Sequence, residues 1–103
     1  LKANNFTKLM PWILEIKDKS GRKIHLSKER WSHIQKHPDM SDKIEQIKET
    51  LTSPQVITEF DYDPNVRFYF RYYKERKEYL FVSVKYLNGE GYIITSFHTD
   101  KIK

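Results

Sequence analysis

From residue 55 onward, four stretches are rich in β-branched and aromatic residues and are parted only by short turn-forming clusters. They are QVITEF (55–60), VRFYFRYY (66–73), YLFVSVKYL (79–87) and YIITSFHT (92–99), with DYDPN, KERKE and NGEG between them. Such side chains suit a pleated, half-buried strand. Connections this short join antiparallel neighbours. The C-terminal half is therefore expected to be a four-stranded antiparallel meander, and what precedes it has to cover one of its faces.

The N-terminal half supplies that cover. PWILEIK (11–17) and RKIHL (22–26) flank the turn DKSG and read as a hairpin. Ser27 is placed to cap a helix over KERWSHIQKH (28–37), whose apolar stripe is Trp31 and Ile34 and which Pro38 ends. Ser41 is placed to cap a second helix, DKIEQIKETL (42–51), with Ile44, Ile47 and Leu51 on one side and Pro54 closing it. The expected fold is α+β: an N-terminal hairpin, two helices, then the meander. The 103 residues suffice for one domain, set at 11–103 behind a loose polar segment, 1–10.

Composition narrows the function. There is no cysteine, which removes disulfide frameworks and thiolate metal sites and fits a reducing, cytoplasmic setting. No apolar run approaches the ~20 residues that span a bilayer, and LKANNFTKLMPW lacks the apolar stretch of a signal peptide. Lys plus Arg is 19 against 14 Asp plus Glu, a formal charge of +5 that favours a polyanionic partner such as RNA.

A register follows from taking Leu87 opposite Tyr92 and Tyr73 opposite Tyr79. It puts Val66, Phe68, Phe70, Tyr72, Leu80, Val82, Val84, Tyr86, Ile93, Thr95 and Phe97 on the core side. The opposite side then carries Arg67, Tyr69, Arg71, Tyr73, Tyr79, Phe81, Ser83, Lys85, Ser96 and His98. Cations and aromatics without a carboxylate suit a surface that grips phosphates and stacks bases. Arg67, Tyr69, Arg71, Tyr73, Phe81 and Lys85 are the RNA-binding candidates, and His98, beside Arg71, is the acid–base candidate.

His33 and His37 in SHIQKHPDM are spaced one helical turn apart. As metal ligands they lack the glutamate of an H-E-x-x-H site and an obvious third partner, so neither metal nor cofactor is expected. As structural groups, His37 would meet the helix dipole at its C-terminus. As acid–base groups, both would titrate near neutral pH. RNA can be cut without metal when a base deprotonates the 2′-OH, an acid protonates the leaving 5′-oxygen, and a cation stabilises the phosphoryl charge.

RWSHIQKHPDM, IEQIKETLTSPQVI, RFYFRYY and YLFVSVKYLNGEGYIITSFHT together resemble the barnase–EndoU–colicin–RelE class of small RNases, in its phage- and mobile-element-associated branch. The likeness spans roughly residues 22–103, with Asp39 where the branch's W-x-H-I-x-x-x-H-P-E pattern has Glu. It implies a metal-independent RNase, often a toxin paired with a protein antitoxin. By position, His33 and His37 match the helix histidines, Arg71 the arginine of the first long strand, and Thr95 and Ser96 the last-strand hydroxyls. The alternatives are a non-catalytic RNA-binding module using the same sheet face, and a domain whose exposed aromatics bind a protein.

Overall fold

In the computed structural model, residues 12–102 are described; the expected loose segment 1–10 lies outside them. The elements are β1 (Trp12–Lys17), β2 (Lys23–Ser27), α1 (Lys28–Ile34), a 3₁₀ turn (Pro38–Met40), α2 (Ile44–Thr52), β3 (Val56–Phe60), β4 (Asp63–Tyr73), β5 (Glu78–Leu87) and β6 (Glu90–Thr99). This is the expected α+β order. The hairpin does not stand apart from the meander, however: one six-stranded sheet runs β1-β2-β6-β5-β4-β3. Its one parallel contact joins β2 to β6 at Ile24↔Gly91 and His25↔Tyr92. Gly91 is tightly enclosed on both sides: a Cβ there would sit 2.9 Å from both Tyr86 and Val84 of β5 and 3.1 Å from Ile24 of β2.

The core lies between the helices and one face of the sheet. Ile34 of α1, Met40 of the 3₁₀ turn, and Ile47 and Leu51 of α2 are fully or almost fully buried against Leu80, Val82, Val84, Tyr86 and Ile93. The stripe expected on the second helix is thus the one it buries. Ser27 caps α1 as expected, its Oγ accepting from the Arg30 amide at 3.1 Å. Ser41 does not cap α2, which starts later, at Ile44.

Three details overturn the expected register. Between β4 and β5 the turn spans four residues rather than five, with Lys77 at φ 56° and its amide on the Tyr73 carbonyl. Tyr73 therefore pairs with Glu78, and every β4 side chain exchanges faces relative to β5. Between β5 and β6, Asn88 and Gly89 both take positive φ, 55° and 82°, in a two-residue turn that pairs Leu87 with Glu90. Further along, a bulge leaves Ile94 without a partner: Val84 pairs with Ile93, but Ser83 pairs with Thr95. Beyond it, Ser96 and His98 join the helix side and Thr95 and Phe97 the other, the reverse of expectation. The β5 assignment stands: its buried even-numbered residues face the helices.

The loop after β1 is tied to the sheet through Asp18. This carboxylate accepts from the Ser20 amide and hydroxyl, from the Arg22 amide, and from Tyr86 Oη at 2.8 Å. Tyr69 and Tyr86 share a hydrogen bond, and the Arg22 guanidinium lies 3.7 Å from the Tyr86 ring centre. Burial alone would raise the Asp18 pKa. The hydrogen bonds from Ser20, Tyr86 and the Arg22 amide outweigh it, and the carboxyl ends below its usual value.

Candidate active site

SHIQKHPDM does not form one continuous helix. Pro38 pushes His37 into an extended conformation, φ −87° and ψ 110°, and α1 ends at Ile34. The last turn tightens, with the His37 amide on the Ile34 carbonyl. His33 and His37 are therefore not successive residues of one helical face, and His37 is not a helix-end group of α1. Both are exposed, and neither side chain has a hydrogen bond or ion pair among the described residues.

The 3₁₀ turn that follows gives this segment its purpose. It delivers Asp39 to the end of β6, where Oδ2 lies 2.6 Å from Nδ1 of His98. Arg76, from the β4–β5 turn, reaches the same oxygen at 3.3 Å and Glu78 at 3.1 Å. The hydrogen bond to His98 is the main cause holding the Asp39 carboxyl below its usual range, helped by the charges of His98 and Arg76. The His98 side chain is only 3% exposed and that of Asp39 38%. An imidazole whose Nδ1 is fixed by a carboxylate presents Nε2 for proton transfer in a set orientation. His98 meets this arrangement because the Ile94 bulge turns it toward the helices.

Of the other expected residues, Arg71, Tyr73 and Ser96 share the helix side with His98, Arg71 in the same cross-strand row through Leu80, and Thr95 does not. Arg71 lies on the helix side, donating from Nη1 to the Ser53 carbonyl at 2.8 Å, with Nε 3.5 Å from Glu49. Tyr73 donates to the same Glu49 at 2.6 Å, and burial, then that hydrogen bond, push its phenol up to about 12. Ser96 is fully buried, and its hydroxyl donates to the Phe81 carbonyl at 2.7 Å. Thr95 faces the other side of the sheet, opposite Ser83. Thus Arg71 and Ser96 are each hydrogen-bonded to a backbone carbonyl, and Thr95 is separated from His98 by the sheet.

The expected RNA-binding face is split: Arg67, Tyr69, Arg71 and Tyr73 lie on the helix side, Phe81 and Lys85 on the other. Arg67 turns to the helix side, donates to the Pro64 carbonyl at 2.6 Å and pairs with Glu59 at 3.5 Å. Tyr69 is buried in the Asp18 network. Phe81 and Lys85 do share the face away from the helices. There Phe81 belongs to an aromatic layer with Phe68, Phe70 and Phe97, ring centres 4.7–5.3 Å apart. Lys85 holds Asp63 at 2.9 Å. Sequence reasoning missed Asp39 as the partner of His98 and Arg76 as the second partner of Asp39; only the P-D that follows His37 hinted at a deliberate turn.

A nearly buried histidine fixed by a carboxylate that an arginine also holds, in a basic α+β domain, is an arrangement compatible with acid–base chemistry on a polyanion. The chain belongs to the phage-Barnase-EndoU-ColicinE5/D-RelE like nuclease2 family, whose model matches residues 14–103. It is a nuclease domain of that fold, and the family implies a nucleic-acid substrate. No match to a curated protein was found.

Proposed function

We propose that this domain is a metal-independent endoribonuclease, acting as a toxin or toxin-like effector on RNA in the cytoplasm, with a protein antitoxin as its natural partner. The observation that carries the reading is the His98–Asp39 pair with Arg76 on the same carboxylate. Asp39 fixes the imidazole through Nδ1, so Nε2 takes or gives the proton. Arg76 is the cation nearest the reacting phosphate, which approaches along the rim where Asp39 and Arg76 remain about one-third exposed. His37, exposed and two residues before Asp39, is the second acid–base group. Two supports are independent of this geometry: the net charge of +5, and the description of the family, which names colicins and RelE. Among the described residues, no three His, Asp or Glu side chains gather as a metal-binding group.

The test is incubation of the pure protein with RNA in EDTA. The expected products carry a 2′,3′-cyclic phosphate or the derived 3′-phosphate, and DNA, lacking the 2′-OH, stays intact. Activity lost in chelator and restored by a divalent metal overturns the mechanism. Binding of RNA without cleavage leaves a non-catalytic RNA-binding module in its place.

A further inference from the structure

We propose that the cleft where β2 and β6 part is a subsite that binds one nucleotide of the substrate chain, on the opposite face of the sheet from His98. This deepens the nuclease reading, on which the identity of the ligand as a nucleic acid rests. The two parallel strands pair at only two positions, Ile24↔Gly91 and His25↔Tyr92. Beyond them β2 turns away at Ser27, the cap of α1, while β6 takes up the extra residue Ile94. The strands splay, and a cleft of about 420 Å³ opens between them. That volume lies within the range of small-molecule sites.

Its wall is aromatic. The His25 ring lies between Trp12, at 4.4 Å between ring centres, and Tyr92, at 5.2 Å and 26° between planes. His25 is 4% exposed and fixed at both ends: Nε2 bonds Glu90, and Nδ1 lies 2.8 Å from Glu15 though not in hydrogen-bond alignment. The His25 ring is thus fixed, and Trp12 and Tyr92, packed against it, offer the aromatic surface on which a base can stack. Trp12 and Tyr92 are only partly buried, so their faces remain accessible.

The charge at the rim is cationic. Arg30 and Lys85 line the cleft and no carboxylate does; Glu15 and Glu90 meet His25 outside the lining. Lys85 is engaged with Asp63. Arg30 is exposed, and its guanidinium has no ion pair among the described residues. A flat apolar wall beside an unpaired guanidinium matches a base with its phosphate. A purely apolar ligand would leave Arg30 unused, and an acidic peptide would leave the stacked rings unused.

The test uses the full chain carrying Trp31→Phe, so that Trp12 is the only tryptophan, titrated with a 2′-O-methyl RNA tetramer that the proposed chemistry cannot cut. Saturable quenching of Trp12 is expected. Tyr92→Leu should weaken binding about tenfold or more, whereas Tyr92→Phe, which keeps the ring, should bind as the parent does. Arg30→Ala, an exposed change that leaves the fold intact, should lower the salt slope of binding by about one. His98→Ala should bind the tetramer unchanged. Absence of saturation, or parental affinity and salt slope in Arg30→Ala and Tyr92→Leu alike, overturns the subsite. Tetramer binding with these sensitivities in a protein that cuts no RNA supports the subsite and rejects the catalytic reading instead.

Discussion

Nδ1 of His98 and Oδ2 of Asp39 lie 2.6 Å apart although 59 residues separate them in the chain. The contact joins the turn after α1 to the end of the last strand. Two local features bring it about: Pro38, which breaks the helix and starts a new turn, and Ile94, which rotates the rest of β6 by half a pleat. The turn that Pro38 starts also seats Met40 in the core. Removing either partner separates chemistry from support. His98→Ala is expected to reduce RNA cleavage by about 10²–10⁴-fold, the usual worth of an acid–base group. Asp39→Asn keeps the shape but loses the charge, and should lose part of that rate. Parental cleavage by both variants would remove His98 from the mechanism.

Acid unfolding reports the two fixed carboxylates. Asp18 and Asp39 both have lowered pKa values in the folded chain, from the usual 3.8. A group with a depressed folded pKa adds stability above its unfolded value, and that stability is lost as pH falls through the folded value. Stability should thus be level near neutrality and fall below about pH 4. Urea midpoints measured from pH 6 to pH 2 should decline less steeply in Asp18→Asn and Asp39→Asn than in the parent. A parental slope in both would mean that neither ion cluster persists in solution.

Tyr86→Phe probes the same network without a change of charge. It removes the donor to Asp18 and leaves the Tyr69 hydroxyl without its acceptor. Leaving a buried polar group unpaired costs about 1–3 kcal/mol. Chemical denaturation should show a loss in that range, with cleavage retained, because His98 lies at the other end of β6. An unchanged midpoint would show that Asp18 recruits another donor.

How far the fold could be read from sequence depends on what each signal fixes. Composition and periodicity identified the elements, the Ser27 cap, and the buried Ile44–Ile47–Leu51 stripe, because these depend on local spacing. Register depends on single residues. Lys77 in the left-handed region shortens one turn and inverts β4, and Ile94 slips β6, yet neither residue is a type that announces such a role. Asn88-Gly89 did announce a two-residue turn, and treating the loop as four residues misplaced its partners. The candidate site suffered most, since each slip exchanges faces. The helix histidines and His98 fell on opposite sides in the expected register, whereas the folded chain brings Asp39 and His98 into contact.

The parallel β2–β6 contact gives a sharp stability test. Gly91 lies against Tyr86 and Val84, and a methyl group there would meet both at 2.9 Å. Both are side chains of β5, and Val84 is fully buried, so these side chains must shift or β5 and β6 must part to admit it. Gly91→Ala should cost about 1–3 kcal/mol. A stability equal to the parent would show that the two strands are held more loosely than this packing implies.

His33 and His37 decide which side of the turn carries the chemistry. Both are exposed and without partners among the described residues, so alanine at either position should shift stability by no more than about 0.5 kcal/mol. Their rates should differ. His37 is held extended by Pro38, two residues from the carboxylate that fixes His98. His33 lies a full turn earlier, in the last turn of α1. His37→Ala is expected to lower cleavage about tenfold or more, and to flatten one limb of the pH–rate profile, because one of two proton-transfer groups is gone. His33→Ala is expected to cut as the parent does. The opposite result, with His33→Ala inactive at an unchanged melting temperature and His37→Ala fully active, would place the site on the outer side of α1. His98 and Asp39 would then be a structural clasp between the turn and the sheet.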